Sequence, residues 1–158
     1  MFDSIVGPGD FNGDQFVDVL ARERSTGHLW LYRGNGTGGW LPRVRVGTGW
    51  NAYNSIVGPG DFNGDGRVDL LAREAATGDL WLYPGNGTGG WLQRVRVGQG
   101  WNSLTTVMSP GDFNGDRTAD VVGRDTQGNL WLYRGNGSGG WLPRAQMGSG
   151  WNGIDLIF

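Results

Sequence analysis

The chain has 158 residues, 32 of them glycine and none cysteine, and its 13 basic residues, all arginine, face 15 acidic ones for a formal charge of −2. That length holds a packed core without disulfide staples, and no run of about eighteen apolar residues reads as a membrane span. The arginines are dispersed along the chain, which speaks against a nucleic-acid footprint, and residues 1–20 lack the charged-then-apolar plan of a signal peptide.

The string Asp-Phe-Asn-Gly-Asp-x-x-x-Asp begins at Asp10 and returns at Asp61 and Asp112, 51 residues apart each time. Aligned on it, Trp30, Trp81 and Trp131 share one slot, Trp40, Trp91 and Trp141 a second, and Trp50, Trp101 and Trp151 a third. The one indel is a residue lost in the third copy between Arg124 and Leu130. The units are residues 1–51, 52–102 and 103–153, with 154–158 as the start of a fourth. A tandem period this long marks supersecondary units that bury their faces on one another.

The middle unit illustrates the elements. Residues 55–60 lead into the acidic loop, residues 68–74 read as a strand, and residues 75–78 as a turn. Residues 79–83 form another strand, apolar on both faces, and the glycine-rich stretch 85–90 a second turn. Residues 91–97 alternate apolar and polar as an outer strand. Four short strands per repeat, with no helical periodicity, predict an all-β array of four-stranded antiparallel β-propeller blades, three per chain.

Positions 1, 3, 5 and 9 of the acidic loops are Asp10, Asn12, Asp14 and Asp18; Asp61, Asn63, Asp65 and Asp69; and Asp112, Asn114, Asp116 and Asp120. Nine of the fifteen acidic residues thus sit in three short turns, where only a cation relieves their repulsion. Position 7, occupied by Phe16, Arg67 and Thr118, can add a backbone carbonyl. Such an all-oxygen set predicts one Ca²⁺ per loop, three per chain. An EF-hand is excluded at position 12, where Ala21, Ala72 and Gly123 replace the bidentate glutamate. Position 6 is Gly66 in the second loop but Gln15 and Arg117 in the others, which are expected to bind more weakly.

With this loop between the first two strands of a blade-like repeat, the chain resembles the FG-GAP (VCBS-like) repeat family, which includes integrin α-type blades, fungal propeller lectins and modules of secreted actinobacterial proteins. The resemblance implies calcium held on one face of a propeller, an extracellular setting, and a fold whose ligand is set by its individual sites.

Three blades are too few to close a ring, so two apolar faces remain open and drive association. A homodimer of six blades is the first expectation; a trimer of nine blades and a fragment of a longer parent are the alternatives. Residues 2–6 and 154–158 occupy the same slot of the repeat, so one copy is either surplus in a simple ring or an overlap between chains.

On the face opposite the metal loops, Trp50, Asn51, Trp101, Asn102, Trp151 and Asn152 form a recurring Gly-Trp-Asn motif, a candidate sugar platform. Arg22, Glu23, Arg73, Glu74, Arg124 and Asp125 stand beside it. The competing role for these tryptophans is a wedge between blades. Catalysis has no support: His28 occurs in one copy only, and no nucleophile–base grouping recurs. A multivalent lectin, with N-acetylglucosamine-type sugars as the first candidates, is the functional expectation; a protein-interaction or self-assembling structural module is the alternative.

Overall fold

Glycines at the turns and β-branched or aromatic residues between them cut the chain into short strands. A computed structural model describes residues 1–154 and contains twelve of them. The first sheet comprises β1 (Phe2–Gly9), β2 (Asp18–Glu23), β3 (His28–Tyr32) and β4 (Val44–Gly47). A 3₁₀ turn (Trp50–Ala52) leads into β5 (Tyr53–Gly60), β6 (Asp69–Glu74), β7 (Leu80–Tyr83) and β8 (Val95–Gly98). A second 3₁₀ turn (Trp101–Ser103) precedes β9 (Leu104–Gly111), β10 (Asp120–Asp125), β11 (Leu130–Tyr133) and β12 (Ala145–Gly148), and a third spans Trp151–Gly153.

Each group of four forms one antiparallel meander in chain order, so the chain is three propeller blades. The first strands lie at the hub. There a Cβ on Gly58 would stand 2.9 Å from the Pro8 Cα, which shows how closely β5 approaches β1. The acidic loops and the glycine-rich β3–β4, β7–β8 and β11–β12 loops share one end, and the β2–β3-type turns and 3₁₀ turns the other.

The core lies between blades. Leu20, Leu29 and Leu31 of the first blade meet Leu70, Ala72, Trp81, Tyr83 and Trp91 of the second. Leu71, Leu80 and Leu82 meet Val121, Tyr133 and Trp141 of the third in the same manner. On the far side of the third blade, Val122, Leu130 and Leu132 gather only Met108 among the described residues.

The outer strand is shorter than the alternation implies. Residues 91–97 were expected to pair throughout, yet β8 begins at Val95, and Trp91 touches Gly85 through an isolated bridge. Its indole turns back onto the preceding blade, packing 4.5 Å from Phe11 and donating from Nε1 to the Val46 carbonyl at 2.9 Å. Of the expected fourth-repeat start at 154–158, only Ile154 lies within the described residues.

Candidate functional site

In each acidic loop the tight turn draws the side chains inward onto the loop's own N–H groups. Asp10 accepts from Gly13, Asp14 and Gln15, Asn12 accepts from Asp14, and Asp14 accepts from Phe16. The second and third loops repeat this through Asp61, Asn63 and Asp65 and through Asp112, Asn114 and Asp116. Arg67 and Thr118, like Phe16, donate their N–H groups to the position-5 carboxylate. Residue 6 sits at positive φ in all three loops, 74° at Gln15, 82° at Gly66 and 71° at Arg117, so two copies place a side chain where glycine is favoured.

The third acid of each loop, at position 9, differs from the other two. Asp18, Asp69 and Asp120 are buried and brace the loop to the neighbouring strand. Asp69 accepts from Phe62, Asn63 and Gly85, and Asp18 and Asp120 accept from the equivalent trios. Burial pushes the Asp69 carboxyl up to about 6 against the opposing pull of those N–H bonds. Position 9, expected among the ligands, thus also braces the loop.

Among the described residues, no three histidine, cysteine, aspartate or glutamate side chains gather as a metal cluster. Each loop nevertheless gathers Asp, Asn and Asp side chains on one short turn, next to a buried carboxylate that accepts from the same turn. By chemistry this donor set fits a hard cation.

The Gly-Trp-Asn motif is placed differently from a sugar platform. Trp50 and Trp101 are buried, 4% and 6% exposed. Trp50 packs 4.7 Å from Tyr83 and 5.8 Å from Trp91, and Trp101 packs 4.5 Å from Tyr133 and 5.4 Å from Trp141. The 3₁₀ turn directs each ring beneath Gly47 or Gly98, where a Cβ would collide with the indole, and onto the next blade. They are wedges between blades. Trp151, against which the described residues pack no further blade, is 38% exposed.

Asn51, Asn102 and Asn152 donate to the carbonyls of Arg24, Ala75 and Thr126, pinning the two turns of that end together. Arg22, Arg73 and Arg124 are latches as well. Each donates through Nη1 to two carbonyls of the segment leaving the blade: Trp50 and Tyr53, Trp101 and Leu104, or Trp151 and Ile154.

A constellation that the motif reading passed over lies on strand three. The guanidinium carbons of Arg43, Arg94 and Arg144 stand 4.2, 4.0 and 4.2 Å from the ring centroids of Trp30, Trp81 and Trp131. A tyrosine hydroxyl fixes each arginine: Tyr32, Tyr83 and Tyr133 respectively. The signal was available, since an arginine follows the strand-three tryptophan by thirteen residues in every copy.

In the third blade this stack borders a cleft of about 280 Å³ lined by Ser103, Asp125, Thr126, Gln127, Trp131 and Arg144. The Trp131 Nε1–H donates to Asp125 at 2.9 Å. That bond, foremost among several, lowers the Asp125 carboxyl to about 2, so the rim carries a carboxylate at neutral pH.

No curated protein matches the chain in sequence. Among solved structures it is similar to an Agrocybe aegerita lectin described as recognising non-reducing terminal N-acetylglucosamine, with a TM-score of 0.61 and 21% identity. The match covers 87% of this chain and 36% of that one, so the chain spans just over a third of the length of its structural relative. At that identity the likeness establishes the propeller fold. The FG-GAP-like repeat model matches twice, over residues 10–72 and 61–123, which together cover the first two acidic loops, the second blade and the third loop into β10. The chain belongs to the FG-GAP-like repeat family.

Proposed function

We propose that the chain is a calcium-stabilised, extracellular propeller module that binds glycans through the tryptophan–arginine clefts opposite its acidic loops. The observation that carries this reading is the cleft at Trp131. Its rim presents a carboxylate, an amide, hydroxyls and a guanidinium around a half-buried indole, the mixture of donors and acceptors that a neutral polyhydroxylated ligand requires. At about 280 Å³ it lies just below the usual ligand-pocket range of roughly 300–1,000 Å³, a size suited to one terminal sugar. The fold shared with a lectin for terminal N-acetylglucosamine makes that sugar the first candidate.

Glu74, Trp81 and Arg94 in the second blade, and Glu23, Trp30 and Arg43 in the first, place the same residue types in the same slots. Single sites of this kind bind weakly, and several on one ring supply avidity on a glycan-coated surface. Further copies of the chain completing the ring would multiply them.

A glycan array tests the reading. The wild-type protein should bind glycans ending in N-acetylglucosamine, and Arg144→Ala should weaken that binding while the circular dichroism spectrum stays unchanged. Absence of binding to any glycan would leave the second reading, a structural or protein-interaction module. The burial of Trp50 and Trp101 favours that one, because it turns the most regular surface motif into interior packing.

The calcium part has its own test. Asp10, Asn12 and Asp14, the Phe16 carbonyl and the underlying Asp18 would hold the ion in the first loop, with the equivalent sets in the others. The ion would neutralise the clustered carboxylates and favour the ionised form of the buried one. Sites of this extracellular kind bind at about 10⁻⁴–10⁻³ M, so millimolar Ca²⁺ should raise the melting temperature and EDTA lower it. An unchanged melting curve would refute it.

A further inference from the structure

The contact set between blades occurs twice within the chain, and its two halves are left uncovered at opposite ends. At the first junction Phe11 packs against Trp91, whose Nε1 donates to the Val46 carbonyl, while the Gly89 N–H donates to the Phe11 carbonyl at 3.2 Å. At the second, Phe62 packs 4.8 Å from Trp141, whose Nε1 donates to Val97 at 2.8 Å, and the Gly139 N–H donates to Phe62 at 3.2 Å. A Cβ on Gly13 would stand 2.5 Å from the Gly87 carbonyl oxygen, and Gly64 meets the Gly137 oxygen in the same way. Even the close backbone approach is therefore reproduced.

The third set has its parts but not their partners. Phe113, the counterpart of Phe11 and Phe62, is 55% exposed where those are 0% and 1%. Gly115, the counterpart of Gly13 and Gly64, has nothing within 4 Å of its Cβ position. Met108, Phe113, Val122, Leu130, Met147 and Trp151 line an apolar hollow of about 480 Å³ on this face. At the other end of the chain Trp40, the counterpart of Trp91 and Trp141, is 59% exposed beside a hollow of about 470 Å³. Each face thus carries the half of the junction that the other lacks.

We propose that the outer face of the third blade docks head to tail on the first blade of a second copy, and that two copies close a six-bladed ring. Phe113 packs on the second copy's Trp40, whose indole donates to the Met147 carbonyl, and Trp151 slides beneath that copy's Tyr32 and Trp40. Ile154 and Phe2 hold the same slot of the repeat, so one yields where the faces meet. Propellers close with roughly four to eight blades, which two copies satisfy and three exceed. Repeating the interface around the ring closes it and leaves no apolar face open. This inference is independent of sugar binding.

Light scattering coupled to gel filtration tests it with Trp40→Arg and Phe113→Arg, two substitutions at exposed positions that spare both internal junctions. The wild type should run at twice the chain mass and each variant alone at the mass of one chain, with circular dichroism spectra matching the wild type. An equimolar mixture of the two variants should recover a two-chain species, because each retains the face that the other has lost. A wild type that stays a single chain or runs as three, a dimer that survives both substitutions, or a mixture that stays monomeric overturns the proposal.

Discussion

Arg73 offers the sharpest energetic test of how consecutive blades are held together. The residue is 7% exposed, and burial lowers its pKa from the ordinary value, yet its partners are neutral. Nε donates to the Asn54 amide oxygen at 2.7 Å, and Nη1 to the carbonyls of Trp101 at 2.9 Å and Leu104 at 2.7 Å. Arg73→Met keeps much of the volume and orphans both carbonyls, each at about 1–3 kcal/mol. Relief from burying a charge offsets part of this, which leaves a net loss of about 3 kcal/mol. For a chain of this size that lowers the melting temperature by roughly 6–12 °C.

Asn54→Asp should act in the opposite direction, by about 1 kcal/mol. The first blade already contains that arrangement, with Asp3 2.8 Å from Arg22 and its carboxyl held below the usual range chiefly by that hydrogen bond. Urea denaturation of both variants measures the pair. A loss below about 1 kcal/mol for Arg73→Met would refute the latch.

The acidic loops and the cleft yield two further outcomes. Gln15→Gly and Arg117→Gly should each stabilise the protein by about 0.5–1 kcal/mol in thermal melts, and Gly66→Gln should destabilise it, because left-handed backbone costs a non-glycine residue about 1–2 kcal/mol and glycine's own entropy offsets part of that. Asp125, lowered to about 2, contributes stability that is fully present above its unfolded value of about 4 and is lost as pH falls through about 2. Asp125→Asn should therefore flatten that part of the melting temperature against pH, and an unchanged slope would exclude the Trp131 bond as its source.

The 51-residue period, the four-stranded blades and the acidic loops were legible because each is a local pattern: spacing, alternation and turn chemistry. The fates of Trp50 and Trp101 were not. Whether a tryptophan in a turn faces water or the next blade depends on a 3₁₀ geometry and on a neighbour 33 or 32 residues away, Tyr83 or Tyr133, and the motif holds no trace of either. The same limit hid the division within the loops, since Asp18 is set apart from Asp10 and Asp14 by the Gly34 N–H that β3 delivers to it. The stacking of Arg94 on Trp81 follows from the pairing of β7 with β8, in which Trp81 faces Arg96 and the chain just before it crosses the indole. Its regular thirteen-residue spacing was visible, but read alone it had no physical meaning.

The reading of this propeller as a glycan-binding module is tested most directly by a crystal structure of the protein soaked with N-acetylglucosamine. The account predicts sugar density in the cleft bordered by Asp125, Gln127 and Arg144, with the Trp131 indole forming its wall. Sugar stacked on Trp151 instead, or a cleft that remains empty at saturating sugar, would contradict it.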